Sequence, residues 1–511
     1  MKLTVTRLDM TVPESVAVLF RDDCLEMGVG PTDRIRIACG GSVTSAAVIS
    51  DEPEYRGRIL IPTALMERCG ASDGDVADVA YSPPPESIRS IRKKIHGGKL
   101  TRTEIDAIVG DIMDGDLSGR DILAFVSAFN VNNADVSEIA ALTRSMADTG
   151  RKVDLGVKPV FDFHSLGGVP GNKITPIVVS IVASEGLVIP KMSSRAISSA
   201  CGTADFIDTF CDVEMDTQML LDAVGRTKAV FACGNEDYAP VGQLIIRTER
   251  PMGIDPRPTM IASILSKKVA IGSTHLLMDL PMGEGAKVPD MESAHSLARD
   301  MIAIGELLGI RIECAVSRAD QPIGTAIGPI LEARECISVL EKGEGDPAVV
   351  DKACSMAGII LEMAGFDDGI ERAYDILRSG RALAKFREIV AVQNGDPDIG
   401  SDDLVPGEFW KDVHAKRDGI VQYVDNRNMV AIAKGAGAPA DVGAGILLLH
   451  KRGDRVKEGD ALFRIYAESR IKLERAVESA RSRRPMFVEE KPVEGCSESI
   501  ILERIPSRKT E

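Results

Sequence analysis

The stretch Lys191–Asp208, KMSSRAISSACGTADFID, decides the fold predicted for the centre of this chain. It follows an apolar run and combines five hydroxyl side chains with Arg195 and Gly202. Backbone N–H groups, hydroxyls and a guanidinium at a strand-to-helix turn are the donors that a phosphate site needs. The stretch therefore predicts an α/β domain with an anion site, and a serine-rich turn that only caps a helix is the alternative.

A second segment of the same kind lies upstream. Phe163–Thr175, FHSLGGVPGNKIT, is a glycine-rich loop that leads into an apolar stretch. Glycines allow a backbone to approach a ligand closely, because they lack a side chain and adopt positive φ without strain. Two such loops predict two walls of one phosphate site.

Together the two loops resemble the phosphate-binding pair of the thymidine (pyrimidine-nucleoside) phosphorylase family. That family carries a Lys-His-Ser-x-Gly-Gly loop and a Ser-x-Arg loop that ends in Gly-Thr-x-Asp. The matching residues here are His164, Ser165, Gly167 and Gly168, then Ser193, Arg195, Gly202, Thr203 and Asp205. Met260–Lys268, MIASILSKK, is similar to the base-recognition helix of these enzymes. The resemblance covers roughly residues 86–485.

Composition favours a large enzyme. A chain of 511 residues is too long for one core and predicts three or four domains. The ten cysteines form no CxxC pair, which predicts reduced thiols and no zinc site. No apolar run reaches membrane-spanning length and the start lacks a signal-peptide pattern, so we expect a cytoplasmic protein without membrane contact. A net charge of −16 argues against nucleic-acid binding.

Four domains are predicted along the chain, as a multidomain α/β protein. Residues 1–84 alternate polar and apolar residues at Lys2–Leu8, Arg34–Ala38, Val43–Ile49 and Val76–Tyr81, which predicts short strands. This segment resembles the double-ψ-barrel module at the N-terminus of Cdc48-type ATPases. Residues 85–157, with 236–272, are expected to form a helical bundle, in which a capping box begins at Thr101 and Ser118-x-x-Asp121 starts another helix.

The rest of the chain follows the nucleoside phosphorylase fold of the resembled family. Residues 158–235, with 273–405, are expected to form an α/β domain that includes a strand at Ile177–Ala183. Residues 406–511 are expected to form an α+β domain that resembles a barrel-sandwich, with a surface helix after Glu468 and loose ends. The resemblance implies an active site in a cleft between the helical and α/β domains.

Three departures from the pyrimidine-nucleoside pattern point to a different substrate. Phe163 replaces the phosphate-binding lysine, PMGIDPRP adds a carboxylate at Asp255, and GEGAKV adds a cation at Lys287. An added acid and an added cation suit a substrate with its own phosphate and a base that is protonated on a ring nitrogen. These departures and the N-terminal barrel resemble the archaeal AMP phosphorylase family. Asp255 could instead initiate a turn before Pro256, and Lys287 could be a solvated loop residue.

The resemblance implies the following site. Substrate and phosphate would contact Gly168, Ser193, Ser194, Arg195, Ala196, Ile197, Ser198, Ser199, Thr203, Ser263 and Lys287, with Asp255 as general acid. Weaker or indirect roles would fall to His164, Ser165, Gly167, Thr175, Arg247 and Lys267. Ser263 and Lys267, four residues apart, share a helix face, which leaves Lys268 to face solvent.

The expected reaction is phosphorolysis of AMP, and of other nucleoside 5′-monophosphates such as CMP and UMP, to free base and ribose 1,5-bisphosphate. Inorganic phosphate would be the co-substrate, with no cofactor and no metal, in a homodimer or larger homo-oligomer. A thymidine-type nucleoside phosphorylase is the closest alternative. A phosphoribosyltransferase should carry an acidic magnesium–pyrophosphate pair, which the sequence lacks. An assembly or adaptor protein is a third alternative, based on the barrel.

Overall fold

The computed structural model describes residues 1–10, 15–196, 199–234, 237–491, 493 and 499–507. These residues divide into two compact units. One unit comprises Met1–Arg151 and Glu236–Ser266, and the other comprises Lys152–Asn235 and Lys267–Glu511. Each unit is therefore built from two separate parts of the sequence.

The first unit begins with a closed six-stranded barrel, which confirms the β-barrel predicted for the N-terminus. Its elements are β1 (Lys2–Leu8), β2 (Val16–Phe20), α1 (Arg21–Met27), β3 (Arg34–Cys39), β4 (Gly41–Ser50), β5 (Arg58–Pro62), α2 (Thr63–Cys69) and β6 (Val76–Tyr81), with a 3₁₀ turn at Pro53–Tyr55. The strand order is β1-β5-β2-β4-β3-β6. Alternate residues such as Leu3 and Val5 point inward and are buried, as strand geometry requires.

Helices follow the barrel in the same unit. They are α3 (Ser87–Ile95), α4 (Arg102–Met113), α5 (Gly119–Val131) and α6 (Val136–Asp148). Capping boxes at Thr101, Ser118 and Asp135 start the last three, because each side chain accepts from the N–H three residues on. Lys94 and Glu138 form a buried ion pair at 2.8 Å that links α3 to α6. The capping box predicted at Thr101 and the helix start predicted at Ser118 are confirmed.

The second unit contains a mainly parallel sheet with helices. Its first elements are β7 (Phe161–Ser165), α7 (Thr175–Ser184), β8 (Ile189–Ser193), α8 (Thr203–Ile207), α9 (Thr217–Thr227) and β9 (Ala229–Cys233). The chain then contributes α10 (Pro240–Glu249), a 3₁₀ turn at Arg250–Met252 and α11 (Arg257–Ala270), within which the boundary between the units falls. It continues with β10 (His275–Met282), α12 (Met291–Leu308), β11 (Arg311–Arg318), β12 (Ala326–Ile327), α13 (Pro329–Lys342), α14 (Pro347–Met363), α15 (Gly369–Arg378) and α16 (Arg381–Val392), with a 3₁₀ turn at Ser401–Asp403.

The strand predicted at Ile177–Ala183 is wrong, because this segment belongs to helix α7. Every residue from Thr175 to Ala183 is buried, so the helix has no solvent-facing side over this range and shows no amphipathic period. A short apolar run of this kind cannot be assigned to a strand or a buried helix by its periodicity. Pro176, in the first turn, is a helix-start signal that could have decided between them.

The C-terminal elements complete the second unit. They are β13 (Phe409–His414), β14 (Gly419–Val424), α17 (Asn426–Ala436), β15 (Gly445–Leu448), β16 (Arg455–Val456), β17 (Ala461–Ala467), α18 (Arg470–Arg483), β18 (Met486–Glu489) and β19 (Ile501–Ile505). The loose ends expected after α18 are wrong for two segments. β18 pairs with β14, and β19 adds antiparallel to β11 at the edge of the sheet β19-β11-β10-β7.

Candidate active site

Both glycine- and serine-rich loops begin where parallel strands end. The first loop follows β7 at Ser165, and the second follows β8 at Ser193. Val160 and Val188, just before these strands, form a parallel bridge. The two loops therefore leave the sheet at the same edge, where ligands bind in open α/β sheets.

The first loop depends on glycine for its path. Gly167, Gly168 and Gly171 have φ values of 80°, 91° and 76°, in the left-handed region that favours glycine. A Cβ added at Gly168 would lie 3.2 Å from the Cγ of Lys287. The structure thus places Lys287 directly against the first loop.

Ser165 is held by a buried hydrogen-bond network. Its hydroxyl donates to Asp279 Oδ2 at 2.6 Å and accepts from Asn172 Nδ2 at 2.7 Å. Asp279, fully buried on β10, also accepts from Ser317 and pairs with Lys352 at 2.7 Å. Because the Ser165 proton is committed to Asp279, this hydroxyl fixes the loop.

Lys173 anchors the far end of the first loop. Its ammonium donates to the carbonyl oxygens of Ile323 and Ala326, each at 3.0 Å, and forms an ion pair with Glu335. The side chain is fully buried. These bonds tie the loop to the segment that precedes α13, so its shape is set by the fold. Thr175, at the start of α7, is buried beyond this anchor.

A single carboxylate closes the second loop. Asp205 Oδ2 accepts from the backbone N–H groups of Ala196 and Gly202, each at 2.8 Å. A Cβ at Gly202 would lie 2.5 Å from the nitrogen of Ala196, so only glycine allows this closure. The predicted contact residues Ile197 and Ser198 lie outside the described residues.

The side chains of the second loop differ in exposure and partners. Ser193 is 6% exposed, and its hydroxyl has no hydrogen-bond partner in the described part of the chain. Ser194 is exposed, Thr203 is half-buried, and Ser199 donates to the carbonyl of Cys201 at 2.9 Å. Among the described hydroxyls of this loop, that of Ser193 is buried and remains available to a ligand.

Arg195 is engaged by acidic neighbours. Its guanidinium donates to Asp208 at 2.9 Å and Glu214 at 3.0 Å, and its side chain is 43% exposed. Burial opposes the charge, but these hydrogen bonds outweigh it and raise the pKa of Arg195. Part of its charge is thus already neutralised without a ligand.

Lysine charges surround His164, which is half-buried with an unpartnered Nδ1 atom among the described residues. Burial lowers the pKa of His164 well below its usual value, and nearby positive charges lower it further. These charges belong to Lys268, Lys191, Lys267 and Lys287. His164 is neutral at physiological pH, and its surroundings favour an anion.

Two of these lysines have pKa values below the usual value for lysine. Burial lowers the pKa of Lys191 to about 7, and the charge of Lys268 adds to the effect. Burial and Lys268 also lower the pKa of Lys267 to about 8. Sequence reasoning missed Lys191, although a lysine inside the fully buried strand β8 is a signal that could have revealed it.

The prediction that Lys268 faces solvent is wrong. Lys268 is 1% exposed and pairs with Asp162 of β7 at 2.9 Å. The ion pair draws Lys268, in the last turn of α11, inward to β7, and the neighbouring Lys267 is half-buried. Asp162 also accepts from Ser273, which satisfies the second carboxylate oxygen.

Lys287 lies on the loop after β10. Met282 and Val288 form a parallel bridge, and Gly283 donates its N–H to the carbonyl of Val288 at 3.1 Å. The intervening residues fold into a tight loop in which Lys287 is exposed. Lys287 therefore follows a strand and lies beside the first glycine-rich loop.

The remaining predicted residues belong to the first unit. Asp255 is exposed and directly precedes Pro256, and Arg247 is exposed on α10. Ser263 is half-buried on α11, and a Cβ added at Gly242 would lie 3.7 Å from its hydroxyl. None of the described residues forms a cluster of histidine, cysteine or carboxylate side chains suited to a metal ion. No helix of the described chain is both long and apolar enough to cross a membrane.

Comparison with known proteins decides the family. Three family models match: the glycosyl transferase family helical bundle domain at residues 88–150, its α/β domain at 157–383, and the pyrimidine nucleoside phosphorylase C-terminal domain at 420–486. A protein named AMP phosphorylase from Thermococcus kodakarensis is 42% identical over 96% of this chain and 98% of its own. The chain belongs to the AMP phosphorylase family.

Other relatives agree. Proteins named AMP phosphorylase from Pyrococcus furiosus and Methanococcoides burtonii are 43% and 40% identical, over 94% and 100% of this chain and 97% and 100% of their own. Among solved structures, anthranilate phosphoribosyltransferase from Thermus thermophilus matches with a TM-score of 0.52. It is 19% identical and covers 60% of this chain and 99% of its own, so it supports the fold alone. Membership of the AMP phosphorylase family confirms the predicted glycosyltransferase-type enzyme.

Proposed function

We propose that this enzyme cleaves AMP with inorganic phosphate to give adenine and ribose 1,5-bisphosphate. The observation that carries the proposal is the set of lysine charges around His164, beside two loops that leave adjacent parallel strands. In this reaction the bond from ribose to the base breaks as a phosphate oxygen bonds to the same carbon, through an oxocarbenium-like centre. Phosphate needs positioning more than activation, which rigid loops supply.

The phosphate is proposed to bind the loop residues Gly168, Ser193, Ser194, Arg195, Ala196, Ile197, Ser198, Ser199 and Thr203. Support comes from the unpartnered Ser193 hydroxyl and from the closure of the loop by Asp205. His164, Ser165, Gly167 and Thr175 would shape the site, with Ser165 fixed by Asp279. No cofactor is proposed beyond phosphate as co-substrate.

The residues proposed to act on the leaving base and on the 5′-phosphate are those at which this sequence departs from the pyrimidine-nucleoside pattern. Asp255 is proposed to protonate the base as it leaves, a role worth about 10²–10⁴ in rate. Lys287 and Ser263 are proposed to bind the 5′-phosphate, with Arg247 and Lys267 in weaker roles. CMP and UMP are further proposed substrates.

Four domains are proposed, at residues 1–84, 85–157 with 236–272, 158–235 with 273–405, and 406–511. The N-terminal barrel is proposed to be of the double-ψ type, because it pairs β1 with β5 and β2 with β4 in parallel and its other strands antiparallel. The C-terminal domain is proposed to be a barrel-sandwich. The assembly is proposed to be a homodimer or a larger homo-oligomer.

One assay tests the function. Free base released from AMP, thymidine and uridine is measured with and without phosphate. We expect release from AMP that requires phosphate, and slow release from the two nucleosides. Preference for thymidine or uridine would favour a nucleoside phosphorylase, and phosphate-independent release would make the enzyme a hydrolase.

A further inference from the structure

Lys191 is a buried cation with no carboxylate partner among the residues that the structure describes. Five lysines in the described chain are buried, and four of them form ion pairs. Those pairs are Lys94 with Glu138, Lys173 with Glu335, Lys268 with Asp162, and Lys352 with Asp279. Lys191, 3% exposed, instead donates to the carbonyl of Met192 at 2.8 Å and pairs with no described carboxylate.

An unpaired buried ammonium destabilises a fold, because desolvation is not offset by an opposite charge. Such a group is typical of a site that receives its counter-charge from a ligand. The same strand offers a second unsatisfied group. Ser193, two residues along β8 and therefore on the same face, is buried and its hydroxyl lacks a partner among the described residues.

The charges around Lys191 come from two other elements. From α11, Lys268 and Lys267 oppose its protonation, and from β7, Asp162 favours it. Burial is the largest effect and the pKa of Lys191 is about 7, so the side chain is about half ammonium at neutral pH. His164 of β7 is neutral and adds no charge.

We propose that Lys191 directly contacts the inorganic phosphate nucleophile, and that the site takes up a proton on Lys191 as phosphate binds. This assignment rests on the proposed phosphorolysis. The free anion is favoured over the 5′-phosphate of AMP because Lys191 is buried on a strand that leads into the second loop, whereas Lys287 is exposed on a loop. Two negative charges then replace the missing carboxylate and stabilise the ammonium form.

Calorimetric titration with sulfate tests proton uptake. Sulfate stays a dianion between pH 6.5 and 8.5, so it neither takes up nor releases protons when it binds. Binding heats measured in two buffers with different ionisation heats then give the number of protons that the protein takes up. Wild type should take up about half a proton at pH 7, and its sulfate affinity should fall by up to tenfold between pH 7.5 and 8.5. Lys191→Met should lose that half proton at pH 7, while Lys267 still contributes near pH 8.

Steady-state kinetics separate the two phosphates. Lys191→Met should raise the KM for phosphate tenfold or more at pH 7 and change the KM for AMP less than threefold. Lys342→Met, at an exposed lysine that ends α13, is the control and should match wild type. Equal increases in both KM values would overturn the assignment to the nucleophile, and unchanged sulfate binding would overturn the contact itself.

Stability distinguishes a binding role from a structural one. Because the ammonium is unpaired among the described residues, Lys191→Met should melt no lower than wild type without phosphate. Added phosphate should raise the melting temperature of the variant less than that of wild type. If the variant does not fold, proton uptake by wild type on sulfate binding still tests the proposal, and a wild type that takes up no proton would overturn it. Sulfate binding with proton uptake, without base release from AMP, would refute the proposed function and its nucleophile, and would leave only the contact between Lys191 and an anion.

Discussion

Replacing Lys287 with alanine should weaken AMP and spare adenosine. The 5′-phosphate carries about two negative charges at neutral pH, and the chain as a whole carries −16, so a local cation must meet the substrate. A charge-assisted hydrogen bond contributes about 1.5–3 kcal/mol. Lys287 is exposed, so water screens the pair and the lower end applies. A loss of about 1.5 kcal/mol corresponds to roughly a tenfold rise in the KM for AMP.

The assay measures initial rates of adenine release from AMP and from adenosine at saturating phosphate. Lys342→Ala controls for the loss of one exposed lysine in the same unit. Because solvent screens the charge of this lysine, the difference in the KM for AMP between wild type and Lys287→Ala should shrink as salt rises from about 0.05 to 0.5 M. Equal losses on both substrates would mean that Lys287 only supports the loop beside Gly168, and the reasoning above would be wrong.

Four further predictions concern the site. Asp255→Asn should lower kcat on AMP about 10²-fold or more with little change in AMP binding, and a lower melting temperature with unchanged kcat would favour a turn-forming role. Arg195→Ala should raise the KM for phosphate less than Lys191→Met does, because Asp208 and Glu214 already neutralise part of its charge; a larger effect would make Arg195 the main phosphate ligand. Gly202→Ala should abolish phosphate-dependent stabilisation in a thermal-shift assay, because its Cβ would clash with backbone, and normal stabilisation would refute the closure by Asp205. Without phosphate, the melting temperature of wild type relative to that of Lys191→Met should rise from pH 7 to 10. The folded pKa of Lys191 is about 7 and the unfolded value is near 10.5, so unfolding takes up a proton in this window and the free energy of unfolding grows by about 1.4 kcal/mol per pH unit. A difference in melting temperature that does not change with pH would refute the lowered pKa.

Local sequence signals predicted the parts of the fold that local physics determines. Alternation located β6 at Val76–Tyr81, and hydroxyl–carboxylate spacing located the starts of α4 and α5. The glycine positions located the first glycine-rich loop, because positive φ at Gly167 and Gly168 is a requirement of the backbone itself. These features need no knowledge of distant contacts.

Features that depend on tertiary packing were not predictable in this way. Lys268 looked exposed because its partner, Asp162, lies 106 residues away in sequence. Lys191 was overlooked because its importance arises from what the fold places beside it, namely Ser193 on the same strand face and lysines from α11. Helix α7 was misread because a completely buried helix has no polar face to set a period.

Strand β19 has a consequence for synthesis of the chain. It covers the outer edge of β11, yet residues 319–500 separate the two strands. At about 5–20 residues per second, the ribosome needs roughly 10–35 s to make that interval. During this time the edge of β11 has unpaired N–H and C=O groups, which can pair with other chains. The nascent protein therefore passes through a stage in which aggregation competes with completion of its central sheet, and chaperone capture at that stage would protect the yield of folded enzyme.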